Sequence, residues 1–244
     1  MHEQNLQKVL SKYNPFLEYI LNNYKDKIDS VHIVGSVITD DFDLKTSKIN
    51  SIFVLKSMDL KFLEILAPLG KKFGKKQITA PLIMTGEYVE KSLDVFPLEF
   101  LNIKLYHKTI FGNDIFKDIE INISDLRHQC ERELKVKLAV LRQSYISASG
   151  NIKLLTEQFI NSIDDFIVLF RGIIVLHGDN PPESSKDVLI SLEKLTGIDK
   201  AVFMSILMAK NAKAKFTAKN LDRIFEEYYQ SIERLGDLTD EISV

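Results

Sequence analysis

The sequence predicts an α+β protein: a mixed β-sheet with flanking helices over residues 1–123, followed by an all-α helical bundle over residues 124–244. Two observations carry this reading. In the first half, apolar runs of strand length at 31–34, 49–55, 78–84 and 96–105 alternate with helical periodicity. After Ser124 no convincing strand pattern remains, and helical segments follow one another.

The elements follow in order. Leu6, Val9, Leu10, Tyr13, Leu17, Ile20 and Leu21 recur at helical spacing, so an amphipathic helix opens the chain, with a bend expected at Pro15. Residues 31–34 read as a short buried strand that Gly35-Ser36 turns, and Asp40, Asp41 and Asp43 lie in a polar loop. Residues 49–55 are a second strand. Residues 59–67 predict a helix with Leu60, Leu63 and Leu66 inward; Pro68, Gly70 and Gly74 predict irregular chain beyond it. Residues 78–84 are a third apolar run, which Pro81 places at an edge or an irregularity. Residues 85–93 suit a short helix, and residues 96–105 read as a central strand.

In the second half, Leu126, Cys130, Leu134, Leu138, Leu141 and Tyr145 form one helical stripe, with Glu131–Lys135 and Glu133–Lys137 as supporting pairs and Gly150 as the stop. Residues 153–176 are apolar over most of the helix circumference, which predicts a central position in the bundle. Pro181-Pro182 breaks the chain, Ser184 and Asp187 start a helix ending at Gly197, and Asp199 starts another running to Lys210. Leu221, Ile224, Phe225, Tyr228, Ile232 and Leu235 mark a last amphipathic helix, closed by Gly236.

Composition narrows the functional classes. With 45% hydrophobic and 27% charged residues among 244, the chain has the balance of an ordinary globular protein. A formal net charge of −2 offers no global field for nucleic acid, which is therefore not an expected partner. One cysteine, Cys130, permits no internal disulfide and no cysteine-rich zinc site; its place on the inward stripe predicts an inert thiol. Residues 1–14 contain no apolar secretory core, and the most apolar stretch, 166–176, is too short for a membrane span and contains Arg171. A cytoplasmic location without membrane contact is the expectation.

The residues around the first turn carry the chemistry. Val31-His32-Ile33-Val34-Gly35-Ser36 runs a buried strand into a tight turn, and Ser47-Lys48-Ile49-Asn50 opens the next strand after a polar loop. Gly35 and Ser36 suit a phosphate cradle, with Ser47 and Lys48 beside it; an ordinary turn is the plain structural alternative. In this frame the chain resembles the nucleotidyltransferase superfamily, the polymerase-beta-like fold. There an Asp-apolar-Asp or Asp-apolar-Glu pair follows the Gly-Ser turn, and a third acid stands on a later strand. Those acids hold two Mg²⁺ ions on a nucleoside triphosphate, the ions clamping both oxygens of an in-line displacement. The helical half is similar to the bundle of several small bacterial nucleotidyltransferases, including those that modify aminoglycosides.

The resemblance also shows what is missing. Lys48 stands at the first acidic position and Asn50 at the second; Glu99 or Asn102 stands at the third. An ammonium about 4 Å from such an ion costs several kcal/mol at an effective dielectric of about 20. A one-residue slip of register would move Lys48 and Asn50 to the opposite face, and the apolar run 52–55 leaves that open.

Three readings follow. The first is a catalytically impaired protein on the transferase frame that binds a nucleotide or another phosphorylated ligand, or serves as a regulatory partner, with no catalytic residue and no metal assigned. The second is an active enzyme transferring a nucleoside monophosphate to a small hydroxyl compound or a protein; it needs Mg²⁺ on non-standard ligands such as Glu99, Asp40, Asp41 and Asp43. The third is an interaction module acting through the bundle, as a homodimer, with Phe225, Tyr228 and Tyr229 as its aromatic content.

The remaining candidates have weaker patterns. The run Gly70-Lys71-Lys72-Phe73-Gly74-Lys75-Lys76 is not a nucleotide phosphate loop by spacing and reads as a solvated basic stretch. His32, His107, His128 and His177 lack metal-ligand spacing, and His32 reads as a satisfied core residue. Asp164, Asp165 and Arg171, with Glu157 and Asn161, interrupt an apolar helix. They suit either an acceptor-recognition wall, as the resemblance implies, or a solvated face.

Overall fold

Burial is almost continuous along the two central strands, because successive side chains point to opposite faces of the sheet and both faces are covered. The computed structural model describes residues 2–44, 47–211 and 216–242. The chain forms two compact units, Met1–Ile121 and Asn122–Val244.

In the first unit, β1 (Ile28–Val34) and β2 (Asn50–Leu55) pair antiparallel, β3 (Leu82–Thr85) joins β2 in parallel, and β4 (His107–Gly112) joins β1 antiparallel, giving the order β3-β2-β1-β4. One face carries Val31, Ile33, Ile49, Phe53 and Leu55. It packs on α1 (His2–Tyr24), α2 (Leu60–Leu66) and α3 (Leu69–Gly74), whose Tyr13, Phe16, Phe62 and Phe73 are buried. The other face carries Ile52 and Val54 and meets Met84, Phe116, Val89 of α4 (Gly86–Glu90) and Phe100 of α5 (Pro97–Leu105). A sheet covered on both sides reads as a continuous apolar run, as residues 52–55 do.

One tie between layers is polar. Tyr13 of α1 donates its hydroxyl proton to Ser51 Oγ at 2.7 Å, both groups buried. Burial drives the phenol's pKa up, and the Ser51 bond opposes that only in part. Tyr13→Phe leaves a buried Ser51 hydroxyl without its donor, so a loss of about 1 kcal/mol is expected. A urea midpoint measurement checks it.

Several local expectations are corrected. Residues 97–105 are helical, and the strand beside β1 comes later, at 107–112. Pro97 sits in the first helical turn, where its fixed φ favours a helix and its missing N–H costs nothing. In α2 Phe62 is buried and Leu66, as expected, packs half-buried on the same core, while Leu60 and Leu63 are 70% and 43% exposed. Asp59 caps the start of α2 by accepting from the Lys61 backbone N–H at 3.0 Å, and Phe62 packs inward against the rings of Tyr24 and Phe53. Residues 69–74, expected to be irregular, form the single turn and a half of α3. Helix α1 runs unbroken through Pro15, which lies on its exposed side. At the edge of the sheet, β3 begins directly after Pro81.

The second unit is an all-α bundle: α6 (Ile123–Ala148), α7 (Ile152–Leu176), α8 (Ser185–Thr196), α9 (Ala201–Lys210) and α10 (Ala218–Asp240). Asn122 and Asn151 cap the starts of α6 and α7, and Ser149 at φ +47° with Gly150 at φ +80° turns the chain between them. The apolar circumference of α7 is explained by its neighbours, since α6, α8, α9 and α10 all pack on it. Phe159, Phe166, Phe170, Phe203 and Tyr228 form its aromatic centre, with most rings meeting at steep angles.

Ser184 caps α8 by accepting from the Asp187 N–H at 3.1 Å, and Gly197 at φ +69° ends that helix. The Glu131–Lys135 pair forms, but Lys137 turns to Asp165 at 3.7 Å and Glu133 pairs with Arg132 at 3.5 Å. Tyr145 is 41% exposed, its ring on Phe225 and its hydroxyl on Asp222. Gly236 lies inside α10, which runs on to Asp240. No described helix is long and apolar enough to cross a membrane.

Candidate functional site

The turn after β1 is built by the sheet register. Val34 pairs with Asn50, so the strand that ends at Gly35 lies directly beside the strand that begins at Asn50. Gly35 opens a 3₁₀ turn, Gly35–Ile38, at φ +81°. A Cβ on Gly35 would stand 3.7 Å from Asn50 Nδ2, an ordinary contact. The glycine is therefore required for its positive φ, not for space. Its N–H is already used, donating to the Tyr106 carbonyl at 3.1 Å.

Asn50 faces the layer of Ile52 and Val54, because Ser51 points the other way, to Tyr13 of α1. This resolves the register at Asn50. Thr79 holds the carboxamide, its hydroxyl 2.9 Å from Oδ1 and 3.1 Å from the Ile49 carbonyl. With Oδ1 engaged by Thr79, the end of Asn50 nearest Gly35 is the NH₂ group, a donor. Gly35, Lys48 and Asn50 are all exposed, and Ser36 is half-buried.

Ser47 serves the loop. Its hydroxyl accepts from the Asp43 N–H at 3.0 Å, and its own N–H donates to the Asp43 carbonyl at 2.8 Å. Asp40, Asp41 and Asp43 are exposed on that loop. Glu99 and Asn102 lie on α5, Glu99 exposed and Asn102 half-buried. Asn102 donates Nδ2–H to the Leu98 carbonyl at 3.0 Å; its Oδ1 is buried and has no hydrogen-bond partner among the described residues. The Asn102 carbonyl accepts from Tyr106 N–H at 2.9 Å, and the Tyr106 carbonyl receives Gly35, so the last turn of α5 abuts the glycine turn.

The structure thus joins Gly35 with Asn50 and brings the end of α5 to the same turn. Thr79 and Tyr106 complete the arrangement, and neither carried a sequence signal: one acts through its hydroxyl from a distant loop, the other through a backbone carbonyl.

The other candidates lie elsewhere. In the bundle, Asp164 pairs with Lys210 and Asp165 with Lys137, both carboxylates exposed. Arg171 is buried and donates from Nη2 to the Glu183 carbonyl at 2.7 Å, which ties α7 to the segment before α8. In the basic stretch, the Lys72 ammonium lies 5.7 Å from the Tyr19 ring centroid and 5.2 Å from that of Phe73. His128 and His177 are exposed, and Cys130 is buried. His32 is buried and hydrogen-bonded through both ring nitrogens.

No protein-family model matches the chain, and no curated protein matches it. Among solved structures, the chain is similar to the spectinomycin adenyltransferase AAD(9) from Enterococcus faecialis, determined with ATP and spectinomycin. The match has 13% sequence identity and a TM-score of 0.44, and covers 91% of this chain and 98% of that one.

Proposed function

We propose that the chain is a nucleotidyltransferase-fold protein that binds a nucleotide or another phosphorylated ligand at the Gly35 turn and lacks the two-metal chemistry of the family it resembles. The observation that carries this reading is the orientation of Asn50. Its amide turns N–H donors toward the glycine turn, and its oxygen is engaged by Thr79. A donor suits a phosphate oxygen and does not suit a divalent cation, which requires oxygen ligands. With the Gly35 N–H donated to Tyr106, phosphate contact falls to Asn50, the Ser36 hydroxyl and the Lys48 ammonium. Lys48 supplies the positive charge that a metal supplies in the related enzymes.

Calorimetric titration with ATP, with and without Mg²⁺, tests the proposal. Binding that does not require Mg²⁺ is expected, weakened about tenfold by Lys48→Ala, or about 1.4 kcal/mol. Asn50→Asp places a carboxylate at the turn and is expected to weaken Mg²⁺-free binding similarly. Binding seen only with Mg²⁺, together with transfer of AMP to any acceptor, would replace this reading by an active transferase with non-standard ligands.

A further inference from the structure

A second cluster of chemistry lies in the first unit, on the face of the sheet opposite α1. His32 of β1 is paired with Thr109 of β4, and His107 stands two residues from Thr109 on the same face. The pairing slips between Val31 and His32, and such bulges re-aim side chains beside sites. Asp114, just past β4, completes the group: one ligand atom from each of His32, His107 and Asp114 lies within 4.8 Å of the other two. We propose that these three residues bind a divalent transition-metal ion of the Zn²⁺ class.

The ligand chemistry selects the ion. Two imidazole nitrogens with one carboxylate oxygen suit Zn²⁺, Co²⁺ or Ni²⁺ and do not suit Mg²⁺ or Ca²⁺, which take oxygen donors. The outer shell is already in place. His107 donates Nδ1–H to the Ile103 carbonyl at 2.8 Å, which directs Nε2 at Asp114 Oδ1, 2.7 Å away. A backbone carbonyl on the far nitrogen is the usual support of a metal-bound imidazole. Ser30 Oγ lies 2.8 Å from His32 Nε2, and Thr109 Oγ1 lies 2.9 Å from Nδ1. Phe116 walls both imidazoles, at 4.7 Å from the His32 ring and 5.7 Å from that of His107.

The site is dry on one side and open on the other. His32 is fully buried, while the Asp114 side chain is 37% exposed and gives an entry path. Zinc–ligand bonds of about 2.0–2.2 Å place tetrahedral ligands roughly 3.3 Å apart. A pair at the 4.8 Å limit therefore closes by more than an ångström, while the His107–Asp114 pair, at 2.7 Å, opens slightly. Thr109, which bridges His32 to Asp114, is the group that moves aside or becomes the fourth ligand. The ion displaces the Nε2 proton of His107, which leaves to solvent.

The test uses the full chain stripped with a chelator, titrated with Co²⁺ by visible absorption and with Zn²⁺ by calorimetry. One equivalent is expected, with a d–d band that Zn²⁺ abolishes. Asp114→Asn and His107→Gln should each weaken binding at least about tenfold. The double variant His128→Gln/His177→Gln, at exposed histidines, should bind as the unaltered chain does. Far-UV circular dichroism reports which variants fold; if His107→Gln does not, Asp114→Asn decides alone, because its side chain is partly in water. Absence of binding up to roughly 0.1 mM metal overturns the proposal. So does unchanged affinity in folded Asp114→Asn, or loss of binding in the double variant. No nucleotide is present, so the outcome is independent of the reading at Gly35.

Discussion

Gly112→Ala is expected to abolish stable folding of the first unit. Gly112 has φ +72°, and a Cβ there would stand 1.9 Å from the Asp29 carbonyl oxygen and 2.9 Å from Ser30 Cα. Both atoms belong to backbone in β1 or beside it, and Ser30 pairs with Gly112 in the ladder, so no flexible side chain can yield. Relief requires the end of β4 to part from β1. The strand carrying His107 and Thr109 would then lose its register against His32. A cost above about 4 kcal/mol is expected, a large fraction of the usual 5–15 kcal/mol of a domain. Gly197→Ala is the control: its φ is +69°, but nothing lies within 4 Å of the added atom. Only the left-handed backbone term remains there, about 1–2 kcal/mol. Thermal or urea unfolding of both variants separates collision from conformational strain. Equal losses would show that the collision at Asp29 is relieved without parting the strands.

Acid is expected to destabilise the metal-free protein from near neutrality, through His32. Its pKa is lowered from 6.5 to about 4, chiefly by burial and then by the neighbouring His107 charge, with Asp114 opposing. The folded state therefore favours neutral His32, and the unfolded chain binds its proton first. The stabilisation is complete above pH 6.5 and is lost as pH falls from 6.5 towards 4. Over that window the loss is about 3 kcal/mol, at 1.36 kcal/mol per pKa unit. Asp114 adds to it in more acidic solution. Burial pushes its pKa up, but hydrogen bonds from His107 and Thr109 and the His107 charge outweigh that and hold it below the usual carboxylate range. Urea midpoints measured across the window in chelator should fall steadily for the unaltered chain. They should flatten between pH 6.5 and 4 in His32→Gln, whatever its absolute stability. A flat profile in the unaltered chain would show that His32 meets solvent in the folded state.

Much of the fold was legible because its signals are local. A cap acts within one turn, so Ser184 and Gly197 marked the ends of α8 directly. The stripe of Leu126, Cys130, Leu134, Leu138 and Leu141 is buried as its period required. The departures lie where neighbours in space decide. A short apolar run has no period of its own when both of its sides are covered, so residues 97–105 read as a strand and fold as a helix begun by Pro97. Leucines outnumber phenylalanine in α2, yet the ring of Phe62 is the one that packs inward, against Tyr24 and Phe53. Lys137 had two acidic partners within reach, and packing of α6 on α7 chose Asp165 over Glu133.

The candidate sites divide in the same way. The amino-acid order by itself determined that the glycine turn is followed by an amine and a carboxamide, Lys48 and Asn50, because residue identity needs no coordinates. Only the tertiary structure decided which end of the Asn50 amide meets Gly35, since that depends on Thr79, which the parallel β2–β3 crossover returns to Ile49. Only the tertiary structure gathered His32, remote in the chain, with His107 and Asp114. They meet because β4 returns antiparallel beside β1, and pairing between strands, unlike a helical repeat, joins residues at separations that no sequence period records.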